Sequence, residues 1–313
     1  MHMTDAMVFY SAVDTPEPWR AALTAAVPDV TFVLADDQFD PELVRYALVW
    51  NPPRGFFNRF PNLRLIVNLG AGVDALVARD DLPPGVAITR LHDPLMARMM
   101  ASYVLFAVLR LARDIPAFEA AQRQGRWAFI EPRPLDLTRV GVMGLGELGL
   151  RAAKECARQG FQVRGWSRSP KSDPDIVCYS GMDGLADFLS GCDILVCLLP
   201  KTPQTIGLLN AERLALLPHG AGFVNVARGA IVDQAALVEA LRAGRIGQAV
   251  LDVFQHEPLP EGDPLWSLDN VLITPHVASV ALPASATPQI ADNILRIRDG
   301  QPVLDAIDLS RGY

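Results

Sequence analysis

An arginine, a glutamate and a histidine in the last third of the chain each follow an apolar run that ends in a turn. FVNVARGAIVD leaves Arg228 beside Gly229, LDVFQHEPLPEGDPLW carries Glu257, and LITPHVAS carries His276. A guanidinium grips carboxylates in a planar fork, and an imidazole titrates near neutral pH. Such a set has the chemistry to hold an acid and to move a proton. Taken singly, Arg228 and Glu257 also suit a structural ion pair, and His276 a hydrogen-bonded loop. Their shared placement past strand ends, where open α/β sheets bind ligands, weighs against those alternatives.

A second constellation is RVGVMGLGELGLRAAKECARQG, with Gly144, Gly146 and Gly149 in G-x-G-x-x-G spacing around Glu147 and Leu148. It follows an apolar strand and opens a helix, the context in which the spacing is informative. Gly144 allows the tight turn, Gly146 lets backbone approach a diphosphate, and Gly149 lets helix and strand pack closely. The helix start then presents N–H groups to that anion. An NAD site places an acid about 20 residues further on. Here the next strand ends in GWSRSPK, with Ser167, Arg168, Ser169 and Lys171 at that point. Loss of the carboxylate removes repulsion of a 2′-phosphate, and Arg168 and Lys171 add positive charge. The segment points to NADP over NAD; its plainer alternative is a solvated basic turn.

These residues need strands to position them, and the apolar runs supply candidates. Strands are expected at Met7–Ala12, Val30–Ala35, Tyr46–Trp50, Leu63–Gly70 and Val86–Leu91, with a helix over Trp19–Val27. A second series runs Arg139–Met143, Phe161–Trp166, Ile194–Leu198, Gly222–Val226, Ala249–Val253 and Val271–Thr274. Such runs, alternating with helices, argue for parallel sheets. From Pro94 to about Ile115 a long, broadly apolar helix is expected as the crossing into a second domain, and Ser285–Arg298 reads as a C-terminal helix.

Composition bounds the function. The chain has 313 residues, half of them hydrophobic, with 28 Lys plus Arg against 35 Asp plus Glu. Two domains are the prior at this length, and an acidic chain without a basic cluster is a poor nucleic-acid binder. The most apolar stretch, Ala101 to Leu109, is expected to fall short of a membrane span. Cys156, Cys178, Cys192 and Cys197 form no CxxC pair and no metal site, and read as reduced core thiols. Asp5 precedes any Lys or Arg, unlike a signal peptide's start. A cytoplasmic location is expected, with no membrane partner.

The residues carry a family resemblance. NLGAGVD (Asn68–Asp74), GRW (Gly125–Trp127), GLGELG (Gly144–Gly149), LPKTPQT (Leu199–Thr205), NVARGAIVD (Asn225–Asp233), DVFQHEPLP (Asp252–Pro260) and TPHVA (Thr274–Ala278) occur in this order. Together they resemble the D-isomer-specific 2-hydroxyacid dehydrogenases, most closely the glyoxylate/hydroxypyruvate reductase A group, over nearly the whole chain. The resemblance implies roles. His276 would be the acid that protonates the carbonyl oxygen. Glu257 would orient the ring and favour its protonated form. Arg228 would clamp the substrate carboxylate, with backbone N–H groups at Ala71 and Gly72 completing the cradle. Asp252 would face the nicotinamide carboxamide, unless it caps its strand. Leu199, Pro200, Thr205 and Ala227 would border the nucleotide, unless the first three form a plain loop. Trp50 would line the substrate pocket, with a packed aromatic as the equal alternative. One departure is Ser102, where the family commonly carries Glu.

The expectation is therefore two doubly wound, parallel-sheet α/β domains (Rossmann-like and flavodoxin-like) with an active-site cleft between them. The substrate domain would comprise residues 1–95 and 284–313, and the dinucleotide domain residues 96–283. The implied activity is NADPH-dependent reduction of small 2-oxo acids by a homodimer. Two rivals remain: an NAD-linked D-2-hydroxyacid or phosphoglycerate dehydrogenase, which GWSRSPK disfavours, and a dinucleotide-sensing binding protein or corepressor of the same fold.

Overall fold

The computed structural model describes residues 5–307. Contacts divide the chain into two compact units, residues 1–96 with 280–313 and residues 97–279. The expected divisions at 95/96 and 283/284 lie one and four residues away. His2 and the last six residues of the expected substrate-domain tail lie outside the described residues.

In the first unit the strands are β1 (Ala6–Ser11), β2 (Thr31–Leu34), β3 (Val44–Trp50), β4 (Leu65–Asn68) and β5 (Ala87–Arg90). They form an all-parallel sheet in the order β2-β1-β3-β4-β5, the flavodoxin-like arrangement. Parallel strands are covered on both faces, so continuous apolar runs are stable there; LIVN of β4 is buried throughout. One face packs α1 (Pro16–Ala26), through Trp19 and Leu23, with the returning C-terminal helix α9 (Pro283–Arg298), through Ala286, Ile290 and Ile294. The other is filled by Phe56, Phe57, Phe60 and Leu76, the last on the short helix α2 (Asp74–Val77).

The second unit contains β6 (Arg139–Met143), β7 (Gln162–Ser167), β8 (Val177–Ser180), β9 (Ile194–Cys197), β10 (Ala221–Asn225), β11 (Ile246–Leu251) and β12 (Val271–Ile273). Their order is β12-β11-β10-β9-β6-β7-β8, all parallel. This is the dinucleotide-fold order extended by one strand, with the reversal between β6 and β9. The helices α3 (Pro94–Ala112), α4 (Ile115–Arg123), α5 (Glu147–Arg158), α6 (Leu185–Ser190), α7 (Ala211–Leu214) and α8 (Gln234–Arg242) accompany it.

The long apolar helix expected from Pro94 is α3, 19 residues that contain the Ala101–Leu109 stretch; by length and composition alone it could cross a membrane. Val104, Ala107 and Val108 pack it into the core of the second unit, the role of a core helix. Asp114 then takes a left-handed conformation (φ 53°), and α4 starts a new direction. Burial pushes the Cys156, Cys192 and Cys197 thiols up to about 12, so none is a nucleophile near neutral pH.

Candidate active site

The glycine loop lies at the strand-order reversal, where doubly wound sheets open a crevice. Gly144 has φ 107°, and a Cβ there would meet the Leu198 carbonyl oxygen at 2.7 Å. A Cβ on Gly149 would collide with the Gly144 carbonyl oxygen, while one on Gly146 would meet nothing within 4 Å. Two glycines thus fold the loop tightly and the third leaves its backbone open to a ligand. Gly146 is the N-cap of α5, and Gly149, Ala152 and Ala153 form the buried face that lets the helix close on the sheet. Glu147 and Leu148 begin that helix.

Ser167 ends β7, is buried, and donates its hydroxyl to the Ser169 carbonyl at 2.8 Å. It shapes the turn that carries Arg168, Ser169 and Lys171 in exposed positions. Asp173, the next carboxylate along, is paired with Lys154 of α5 at 2.8 Å. Past β9, Leu199 is buried in the core. Thr205 donates its hydroxyl to the Pro200 carbonyl at 2.6 Å and accepts the Thr202 N–H at 2.8 Å, so it staples the loop.

The three residues with acid–base chemistry follow β10, β11 and β12, three neighbours in one parallel sheet. Their loops therefore emerge side by side. Arg228 follows β10 in a turn held by Asn225, whose side chain accepts the Ala227 N–H at 3.2 Å and donates to the Arg228 carbonyl at 3.2 Å. Gly229 presses this turn against the Phe254–Gln255 backbone, where any Cβ would collide. Phe254 begins the loop of Glu257, and its N–H donates to Glu257 Oε1 at 2.9 Å. Glu257 Oε2 lies 2.7 Å from His276 Nδ1. Burial resists ionisation of Glu257. The bonds from His276 and the Phe254 N–H, with the charges of His276 and Arg228, outweigh it and hold the carboxyl below its usual range. A carboxylate only accepts hydrogen bonds, so Nδ1 carries a hydrogen and Nε2 is the nitrogen left to exchange a proton.

Asp252, just past β11, is almost fully buried. Its carboxylate accepts from Thr274 Oγ1 at 2.5 Å and from the Val277 and Ala278 N–H groups at 2.9 Å, and its carbonyl accepts the His276 N–H at 2.8 Å. These bonds make Asp252 the cap of the loop that bears His276.

In the first unit, Trp50 ends β3 and its ring lies so close to Gly70 that a Cβ there would collide with it. The turn of Ala71 and Gly72 is held by buried Asn68, which donates to the Gly70 and Gly72 carbonyls at 2.8 and 2.9 Å. Asn68, Asn225 and Thr274 are supports that sequence reasoning did not single out. The available signal was a polar residue at, or just past, the end of an apolar strand. Ser102 is exposed and caps back on the Met99 carbonyl. His92, which has no partner legible in sequence, sits 3.4 Å from Asp305.

Comparison with known proteins places this geometry. Residues 105–278 match the family model "D-isomer specific 2-hydroxyacid dehydrogenase, NAD binding domain". A glyoxylate/hydroxypyruvate reductase A of Serratia proteamaculans is 39% identical, over 98% of this chain and 99% of its own. A crystal structure of a D-isomer specific 2-hydroxyacid dehydrogenase from Xanthobacter autotrophicus, in complex with NADPH and MES, is 60% identical with a TM-score of 0.93. It covers 99% of this chain and 100% of its own. An NADPH-dependent glyoxylate/hydroxypyruvate reductase from Sinorhizobium meliloti, with NADP and sulfate, is 33% identical at the same TM-score of 0.93, again over 99% and 100%.

Proposed function

The chain belongs to the D-isomer-specific 2-hydroxyacid dehydrogenases, and from that membership we propose that it reduces small 2-oxo acids, glyoxylate and hydroxypyruvate first. It is an NAD(P)-dependent oxidoreductase whose cofactor is NADP, the nucleotide in similar structures. The glycine loop fits a diphosphate, since Gly146 leaves backbone open at a helix start. The turn of Arg168 and Lys171 supplies cations in place of the acid an NAD site carries. NADPH, when bound, supplies the hydride.

The remaining chemistry falls to side chains. His276 holds the proton at Nε2 and gives it to the substrate carbonyl oxygen. Glu257 keeps the ring oriented through Nδ1. Arg228 binds the substrate carboxylate as a planar fork. Contacts to substrate from Trp50, Ala71 and Gly72, and from Asp252 to the nicotinamide carboxamide, belong to the same proposal. So do nucleotide contacts from Glu147, Leu148, Ser169, Leu199, Pro200, Thr205 and Ala227. The observation that carries it is the 2.7 Å pair of His276 and Glu257, with Arg228 near enough to lower the Glu257 carboxyl.

The test is oxidation of NADPH, followed spectrophotometrically, against a panel of 2-oxo acids. Turnover of glyoxylate and hydroxypyruvate is expected. Binding of NADPH without turnover of any acid would make the chain a nucleotide sensor instead. We also propose a homodimer, because Trp127 is 99% and Phe129 84% exposed in one chain. Light scattering at micromolar concentration reporting the mass of a single chain would overturn it.

A further inference from the structure

His276 has φ 57°, in the left-handed region that a residue with a Cβ occupies only where its surroundings fix it. The surroundings here are a chain of polar groups that begins on α3. The Tyr103 hydroxyl lies 2.5 Å from Thr274 Oγ1, and Thr274 Oγ1 donates to Asp252 Oδ1 at 2.5 Å. A threonine hydroxyl has one proton. Because Thr274 spends its proton on Asp252, the Tyr103 O–H must donate to Thr274. The same carboxylate takes the two N–H groups that follow His276, and the Asp252 carbonyl takes the His276 N–H itself. The far end of the chain sits on a helix packed into the core of its unit. Tyr103 stands edge-on to Phe106 with ring centroids 6.1 Å apart, on a helix anchored by fully buried Val104, Ala107 and Val108.

We propose that Tyr103 is a positioning residue for His276, acting through Thr274 and Asp252; this rests on His276 being the proton donor of the reaction. Tyr103 touches no reacting atom. Its hydroxyl aims Thr274 at Asp252, so the carboxylate stays turned toward the loop and the imidazole stays where Glu257 can meet it. Burial pushes the Tyr103 hydroxyl up from its usual range. The Asp252 charge adds to that, while the Thr274 bond works against it, so the phenol remains a donor across neutral pH.

The experiment compares glyoxylate reduction with NADPH in five variants of the full-length protein. Tyr103→Phe keeps the ring and removes only the hydroxyl. It is expected to lower kcat about fivefold, what one net neutral hydrogen bond is worth. The KM for glyoxylate, the Kd for NADPH and the thermal midpoint should stay near parent values. Thr274→Val should lose at least as much, and Thr274→Ser, which retains a hydroxyl, should stay nearer the parent. The double variant Tyr103→Phe, Thr274→Val should be no slower than Thr274→Val alone, because one chain is cut twice. Multiplying losses would mean the two side chains act independently, and would overturn the proposal. So would a Tyr103→Phe enzyme with parental kcat, or one whose Tm and NADPH affinity fall along with kcat. His276→Asn separates the layers. If it is inactive while Tyr103→Phe is unaffected, only the positioning role falls. If it turns over normally, the proton-donor reading falls, and the positioning role with it.

Discussion

The glycine loop after β6 and the loops after β10, β11 and β12 crown the same sheet by opposite means. The first works by removing side chains. Gly149 must lack a Cβ for the Gly144 carbonyl to fit, and Gly146 leaves its backbone uncovered. The others work by pinning side chains. Glu257 is held by the Phe254 N–H, His276 by Glu257, and the loop beneath His276 by Asp252. A diphosphate carries its charge on many oxygens and needs only donors and space. A proton must leave one atom, so the group that holds it needs fixed orientation. Binding and turnover should therefore fail separately when the two regions are broken.

The largest separation is expected at His276. Replacing it by Asn removes the titratable proton and keeps most of the side-chain volume. Loss of one general acid typically costs about 10²–10⁴-fold in rate. NADPH affinity, measured by fluorescence titration, should remain at the parental level. A parallel loss of affinity would show that the two regions are not independent.

Gly149→Ala is the converse experiment. The added methyl meets backbone, which cannot rotate out of the way, so the loop itself must shift. Overpacking of this kind costs roughly 1–3 kcal/mol, and the upper end corresponds to about a hundredfold in NADPH affinity. The rate at saturating NADPH should suffer much less. Tight NADPH binding by this variant would mean that the loop does not hold the diphosphate.

Arg168→Ala is smaller and more selective. The guanidinium is exposed, so its bond to a 2′-phosphate is partly screened, and about a tenfold loss of NADPH affinity is expected. NADH, lacking that phosphate, should bind as before. Equal losses for both nucleotides would remove Arg168 from the recognition of NADP.

The opposed construction also explains what the sequence made legible. Glycine roles follow from local backbone geometry, so spacing, a preceding strand and a following helix were sufficient. Strands with unbroken apolar runs, such as ILVC in β9, were equally plain. The edge strand β8 was not, because VCYS is only partly buried and has no long run to announce it. Helix α4 went unnoticed beside the larger signal of α3. The pinning partners were hidden for a different reason. Tyr103, Asp252 and Thr274 are distant in sequence and meet only through the register of β11 with β12 and the docking of α3. Asp252 was expected at the nucleotide or as a cap. Only the fold displays its bonds to the N–H groups after His276.

The subtlest effect is expected from Glu257→Gln, and it acts on pH dependence. The Glu257 carboxyl is held below its usual range, so it is ionised wherever the enzyme is folded near neutrality. A group depressed in the folded state contributes stability above its unfolded pKa and loses that contribution as pH falls through the folded value. The parent should therefore gain in Tm over the Gln variant above the ordinary carboxyl range, and the gap should narrow in acid. For catalysis the effect is on positioning. An amide has one acceptor oxygen where the carboxylate has two, so it can serve either the Phe254 N–H or His276 Nδ1, not both. With the ring held less firmly, reductive kcat/KM should fall in Glu257→Gln. NADPH affinity should not change, since the glycine loop is untouched. Parental kcat/KM in the variant would mean that Glu257 does not position the ring.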